Sequence, residues 1–209
     1  ELCGTGIWKL LLGAVYKMVI AAGAYKVMGY FDTGTAWYHW VGYAYAYGIY
    51  LFFDFAGYSL MAVGSSYILG IETPENFRQP FISRDIREFW DRWHITLSHW
   101  FRDFIFTRFV MYSSKKKWFS TRLQRACAGF FVDMGIMGLW HGITPSYILY
   151  GLYHGLLLAA TETYQKKSKF YKKHKNKTWY QVVSWAVTMQ LVFFGFFLFS
   201  GKLMELVGF

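Results

Sequence analysis

Charge is scarce in this 209-residue chain: 16% of residues are Asp, Glu, Lys or Arg, against 55% hydrophobic. A water-soluble domain carries nearer to about a quarter charged residues, so that class is excluded first. Cysteine is scarce too. Cys3 and Cys127 stand far apart without metal or redox spacing, which removes a disulfide framework and a thiolate metal cluster. Between Lys26 and Arg78 there is no Lys or Arg at all. The start lacks the basic, apolar, small-residue order of a signal peptide. There is no internal repeat, and no low-complexity tract beyond one Lys-rich stretch. Opening on Glu1 without Met, the chain is expected to be a fragment or one part of a longer polytopic protein.

What is present is apolar and aromatic surface. Phe, Trp and Tyr make up 23% of the chain, and several windows approach the roughly 20 apolar residues that cross a bilayer core. The fold class expected is all-α, a polytopic membrane bundle forming one transmembrane domain over residues 1–209. Residues 8–30 form an apolar segment interrupted by Lys9, Lys17 and Lys26, either buried against protein or interfacial. Residues 37–70 follow, with 49–69 the best spanning window and Asp54 its only charge. The cluster Trp37, Tyr38, Trp40, Tyr43, Tyr45, Tyr47 resembles an interfacial aromatic belt. Residues 71–122 are expected at the cytoplasmic interface. Within them 82–110 reads as an amphipathic helix or broken pair, with Phe89, Trp93, Thr96, Leu97, Trp100 and Phe104 on one face.

A hairpin of two spans is expected at about 123–140 and 144–164, with Thr144 as N-cap and Pro145 at the first helical position. A basic cytoplasmic loop, 165–178, leads to a last span at about 179–201. Six Arg in 78–108, five basic residues in 115–125 and seven Lys in 166–177 supply 18 of the 22 basic residues. They flank apolar spans, so the positive-inside rule explains the net charge of +10 more simply than nucleic acid, which is not expected as a partner.

Two Trp-His pairs, Trp93-His94 and Trp140-His141, sit among these apolar segments. An imidazole is costly there, which makes each a functional candidate. His141 lies at a Gly- and Pro-marked break that leaves it free to line a cavity. It can act as a general base, or simply hydrogen-bond a carbonyl at a hairpin tip. His94 and His99 are five apart, about 140° around a helix, and the i, i+4 spacing of a helical zinc site is absent. No metal is expected. His154 reads as a packed histidine. Asp54 and Asp133 read as relay groups or as partners of Lys17, Lys26 or an Arg. Charge placement puts His94 on the basic side and His141 deeper, at opposite ends of one passage rather than in a compact dyad.

The order FDFAGYSLMAVG, then PENFRQPFISRDIREFWDRWHITLSHWFRDF, then GLWHG resembles the membrane-bound O-acyltransferase family, over about residues 45–158. The resemblance implies a helical bundle with a central tunnel, of which this chain would be the carboxyl-terminal half or so, with His141 matching the catalytic histidine and His94 the second signature histidine. Trp93, Trp140, Asp54, Ser98 and Arg102 are the substrate or tunnel candidates. Arg102-Asp103-Phe104 is followed by IFTRFVMYSSKKK, without the Pro-Leu-Gly-Gly of the polysaccharide O-acetylases. That departure resembles the branch serving teichoic acid in Gram-positive bacteria, and implies a multi-pass protein of the cell membrane. It implies D-alanine arriving as a thioester on the phosphopantetheine of an acidic carrier protein, and an acceptor destined for lipoteichoic acid. The chain itself would bind no cofactor. Expected partners are the D-alanyl carrier protein, other teichoic acid D-alanylation proteins, the acceptor and membrane lipid. Arg84, Arg87, Arg92, Lys115, Lys116 and Lys117 are candidates for meeting the carrier. Polysaccharide O-acetylation, a proton-coupled transporter using Asp54, Asp133 and the histidines, and an anchoring subunit are the alternatives.

Overall fold

A computed structural model describes residues 1–34 and 36–208. They form helices and connecting turns, without a strand among the described residues. Two compact units emerge, Glu1–Arg78 and Gln79–Phe209.

The first unit pairs two long arms. α1 (Leu2–Val15) continues through a π-helical segment, Tyr16–Ala21, into α2 (Ala22–Asp32), and this arm packs on α3 (Trp37–Ile68). Glycine decides how close the arms come. A Cβ on Gly13 would lie 2.6 Å from the Gly57 carbonyl oxygen, and one on Gly6 2.7 Å from that of Gly64. Each pair is seven residues apart on its own helix, two turns, so the small residues align as a seam. Charge is paired across the same contact: Lys17 bonds Asp54, and Lys9 bonds Glu75. The π-helical turn carries Lys17. Asp54 is therefore half of an ion pair with Lys17, one of the partners weighed for it. The spanning helix is also longer than its best apolar window, 32 residues in all.

In the second unit the stretch expected as an amphipathic helix or broken pair is broken more than once. α4 (Ile86–Trp90), α5 (Ile95–Phe101), a π-helical segment Arg102–Phe106 and α6 (Thr107–Lys115) succeed one another. Asp85 caps α4 by accepting the Glu88 N–H. The breaks destroy the single apolar face. Phe89 and Trp93 are buried, but Trp100 and Phe104 are 50% and 53% exposed, and Phe101 is buried instead.

α7 (Arg122–His141) and α8 (Pro145–Lys167) form the expected hairpin. A capping box between Thr121 and Gln124 starts α7. Thr144 occupies the N-cap of α8 and Pro145 its first turn, but the Thr144 hydroxyl bonds the Ser146 hydroxyl rather than capping the backbone. Inside the Lys-rich stretch a short helix, α9 (Lys169–His174), replaces part of the expected loop. α10 (Thr178–Phe199) and α11 (Lys202–Leu206) follow. Three stretches are long and apolar enough to cross a membrane: Leu2–Asp32, Trp37–Ile68 and Thr178–Phe199. At 20 and 23 residues α7 and α8 have the length, but not the same apolar composition.

Candidate active site

His141 is the last residue of α7 and stands in an aromatic box built by three helices. Trp140 lies 4.8 Å away by ring centroids, Phe199 of α10 at 5.0 Å, and Tyr147 and Tyr150 of α8 at 5.9 and 6.4 Å. Gly142 next to it admits the Tyr147 ring: a Cβ there would sit 2.8 Å from that ring. The box leaves His141 half-buried, while Trp140 is exposed.

His94 is held by a different device. It occupies the N-cap of α5 with φ 46° and ψ 52°, left-handed backbone that a non-glycine residue adopts at a cost. Its carbonyl accepts the Ser98 N–H, closing the first turn of α5. The Ser98 hydroxyl donates to the Trp93 carbonyl, so this tunnel candidate is engaged with backbone. Trp93 stacks on Phe89 at 5.5 Å and meets Phe196 of α10 at 5.0 Å.

These contacts bring the two Trp-His pairs together, against the expectation that they lie at opposite ends of a passage. Phe196 touches Trp93 and Phe199 touches His141. The two phenylalanines are three residues apart on α10, about 4.5 Å along its axis. Phe101 of α5 also meets Trp140 at 6.4 Å. Burial, with a smaller contribution from the charge of His141, pushes the His94 pKa down to about 4. The physical reason is the break at Asp91–His94, which turns α5 toward the hairpin tip instead of extending an interfacial helix.

His154 belongs to the same aromatic cluster. It is 1% exposed, and the Trp90 indole N–H donates to its Nδ1 at 3.2 Å. An indole can only donate, so Nδ1 is the bare nitrogen and the proton of the neutral ring is on Nε2. Among the described residues Nε2 has no hydrogen-bond partner, and it faces Gly195, where a Cβ would lie 2.7 Å away. Tyr150 joins His154 at 4.6 Å to the His141 box. Helical spacing carried the signal: Tyr147, Tyr150 and His154 lie at i, i+3 and i+7 on α8. Asp133 is buried on α7, and its Oδ1 has no hydrogen-bond partner among the described residues. Among the described residues no Lys or Arg pairs with it, unlike Asp54.

The other candidates are dispersed. Arg102 is half-exposed, between Asp91 and Asp103. Arg84 and Arg92 both bond Glu88, and Arg87 pairs with Glu162 of α8. Lys115, Lys116 and Lys117 end α6 in solvent, Lys116 lying over Tyr112 at 5.9 Å. Among the described residues no three His, Cys, Asp or Glu gather as a metal site.

Known proteins share this arrangement of sequence. The chain matches the membrane-bound O-acyltransferase family over residues 3–204, well beyond the 45–158 that carry its signature motifs. It is 44% identical to the teichoic acid D-alanyltransferase of Bacillus subtilis (strain 168), over 97% of this chain and 52% of that protein. With the protein of the same name from Lacticaseibacillus rhamnosus it shares 40% identity, over 99% of this chain and 54% of the relative. A protein from Pseudomonas syringae pv. tomato named "Probable alginate O-acetylase AlgI" is 37% identical over 84% of this chain and 30% of its own length. The chain thus spans about half the length of its D-alanyltransferase relatives. It belongs to the membrane-bound O-acyltransferase family.

Proposed function

We propose that this chain carries the acyl-transfer site of an enzyme that moves D-alanine from a carrier-protein thioester to an acceptor destined for teichoic acid. The observation that carries the reading is the His141 box, one helical turn along α10 from the Trp93-His94 pair. His141 would take the proton of the acceptor hydroxyl as its oxygen attacks the thioester carbonyl. The C–S bond then breaks, an ester C–O bond forms, and the proton returns to the departing thiolate. His94, kept neutral by burial, would orient or polarise the thioester arm from the adjacent turn. Aromatic walls would exclude water, which matters because a thioester hydrolyses when water competes with the acceptor.

The D-alanyltransferase relatives support D-alanine as the group moved. The likeness to the alginate O-acetylase favours a second reading on the same site, acetyl transfer to a polysaccharide. The deciding experiment offers the full-length protein labelled D-alanyl-carrier and a labelled acetyl donor in one reaction. D-Alanine label in the acceptor supports the first reading; acetyl label alone replaces it with the second. In either case His141→Ala should lower transfer by about 10²–10⁴-fold, the usual contribution of a positioned base. Transfer at the unaltered rate by that variant would remove His141 from the mechanism.

A further inference from the structure

Away from the histidines, the second unit has a cleft of about 660 Å³ between α4, α8, α9 and the start of α10. One end is polar, with Tyr171, Lys175, Asn176 and Tyr180. The other is apolar, where Val183, Val187 and Leu191 line it at four-residue intervals along α10. From Trp179 to Leu191 this wall runs about 18 Å along the axis of an apolar helix long enough to span a membrane.

Charge is unequally satisfied at the polar end. The carboxylates nearby are already engaged: Asp85 accepts from Glu88 N–H and Gln165, Glu88 is bound by Arg84 and Arg92, and Glu162 by Arg87 and Lys166. Of the seven lysines in residues 166–177, Lys166 alone pairs with a carboxylate among the described residues. Lys175 lies over the Tyr171 ring at 6.0 Å and has no carboxylate partner there.

We infer that this cleft is a binding site for an anionic glycerophospholipid, the phosphate at Lys175 and the acyl chain along Val183, Val187 and Leu191. An acidic protein surface would suit the lysines but leaves the apolar wall unused. A neutral lipid would fill the wall and leave the lysines unmatched. The gradient from cationic to apolar along the cleft, from Lys175 before α10 to Leu191 on it, fits a molecule with the same gradient. The inference is independent of the acyl-transfer reading, since neither His94 nor His141 lines the cleft.

The test uses purified full-length protein with phosphatidylglycerol, phosphatidylcholine or glycerol 3-phosphate, read by native mass spectrometry and by the shift in thermal unfolding. Phosphatidylglycerol should be retained preferentially. Lys175→Glu should weaken it at least about fivefold, as expected for losing one lysine beside an anionic headgroup. Val187→Trp, which fills the apolar wall, should abolish retention with every lysine intact. Lys26→Glu, exposed in the first unit, should leave retention unchanged. Equal retention of the two lipids would overturn the proposal. So would undiminished retention by Val187→Trp, or glycerol 3-phosphate binding as well as the lipid.

Discussion

The two units dispose of their polar groups in opposite ways. In residues 1–78 the lysines of the first apolar arm are spent on carboxylates, Lys17 on Asp54 of α3 and Lys9 on Glu75 beyond it, beside a seam of glycines that brings the arms together. In residues 79–209 the aromatic core gathers imidazoles instead, His141 among Trp140, Tyr147, Tyr150 and Phe199, and His154 against Trp90 and Tyr150, with His94 next to the buried Trp93. A lysine–carboxylate pair neutralises both members and serves packing. A neutral imidazole keeps one lone pair and one N–H, which suits it to proton transfer. The contrast directs the search for chemistry to the imidazoles of the second unit rather than to the paired charges of the first.

The largest effect expected from breaking this contrast is at His141. In the full-length protein His141→Ala should lower acyl transfer by about 10²–10⁴-fold. The double variant Lys17→Met, Asp54→Leu should keep transfer within a few-fold, measured as labelled D-alanine incorporated. A comparable loss from the double variant would erase the distinction between the units.

Next in size is the glycine seam. Gly13→Leu places carbon where the Gly57 carbonyl already lies, and overpacking of that kind costs about 1–3 kcal/mol. Gly23→Ala, which meets open space, should be near neutral in the same thermal unfolding series. A similar effect at Gly13 and Gly23 would contradict the close packing of α1 on α3.

Removing the donor to His154 should cost less. Trp90→Phe keeps most of the ring but strands a buried Nδ1, on the order of 1–3 kcal/mol. Trp90→Phe combined with His154→Phe should recover part of that loss, because no buried acceptor is then left unpaired. Additive losses in the double variant would argue against the hydrogen bond.

The smallest effect is a pH dependence. Burial holds folded His94 neutral to about 4, whereas in the unfolded chain it takes a proton near 6.5. The unfolded state gains the proton first, so the folded state is favoured fully above pH 6.5 and loses ground as pH falls toward 4. Thermal unfolding of His94→Gln between pH 7.5 and 4.5 should slope less steeply than that of the parent. Parallel slopes would mean His94 is protonated in the folded protein.

Much of the local structure was legible along the chain. Helix periodicity and the proline at the first helical position located α7 and α8 closely, because Pro145 acts within one turn, whereas the Thr144 hydroxyl turns to Ser146 instead of capping. The Lys17–Asp54 pair was among the partners weighed, since an isolated charge in an apolar span needs compensation. Less legible was the 82–110 stretch. An alternation of Arg, acidic and aromatic residues suits a continuous amphipathic helix, and its apolar period shows no stop at Asp91–His94. The left-handed residue His94 is a tertiary result, stabilised by Trp93 against Phe89 and Phe196.

The sequence by itself determined that this is an all-helical membrane protein, which family it belongs to, and which two histidines to examine. Composition and ordered motifs are local and survive without coordinates. Only the tertiary structure decided that those histidines share one neighbourhood. Their meeting depends on α10 laying Phe196 and Phe199 one turn apart across two otherwise distant segments. It decided as well that His154 is locked by Trp90 and that Asp54 is paired with Lys17. Such pairings depend on side chains 37 to 64 residues apart, whose meeting is set by packing rather than by periodicity.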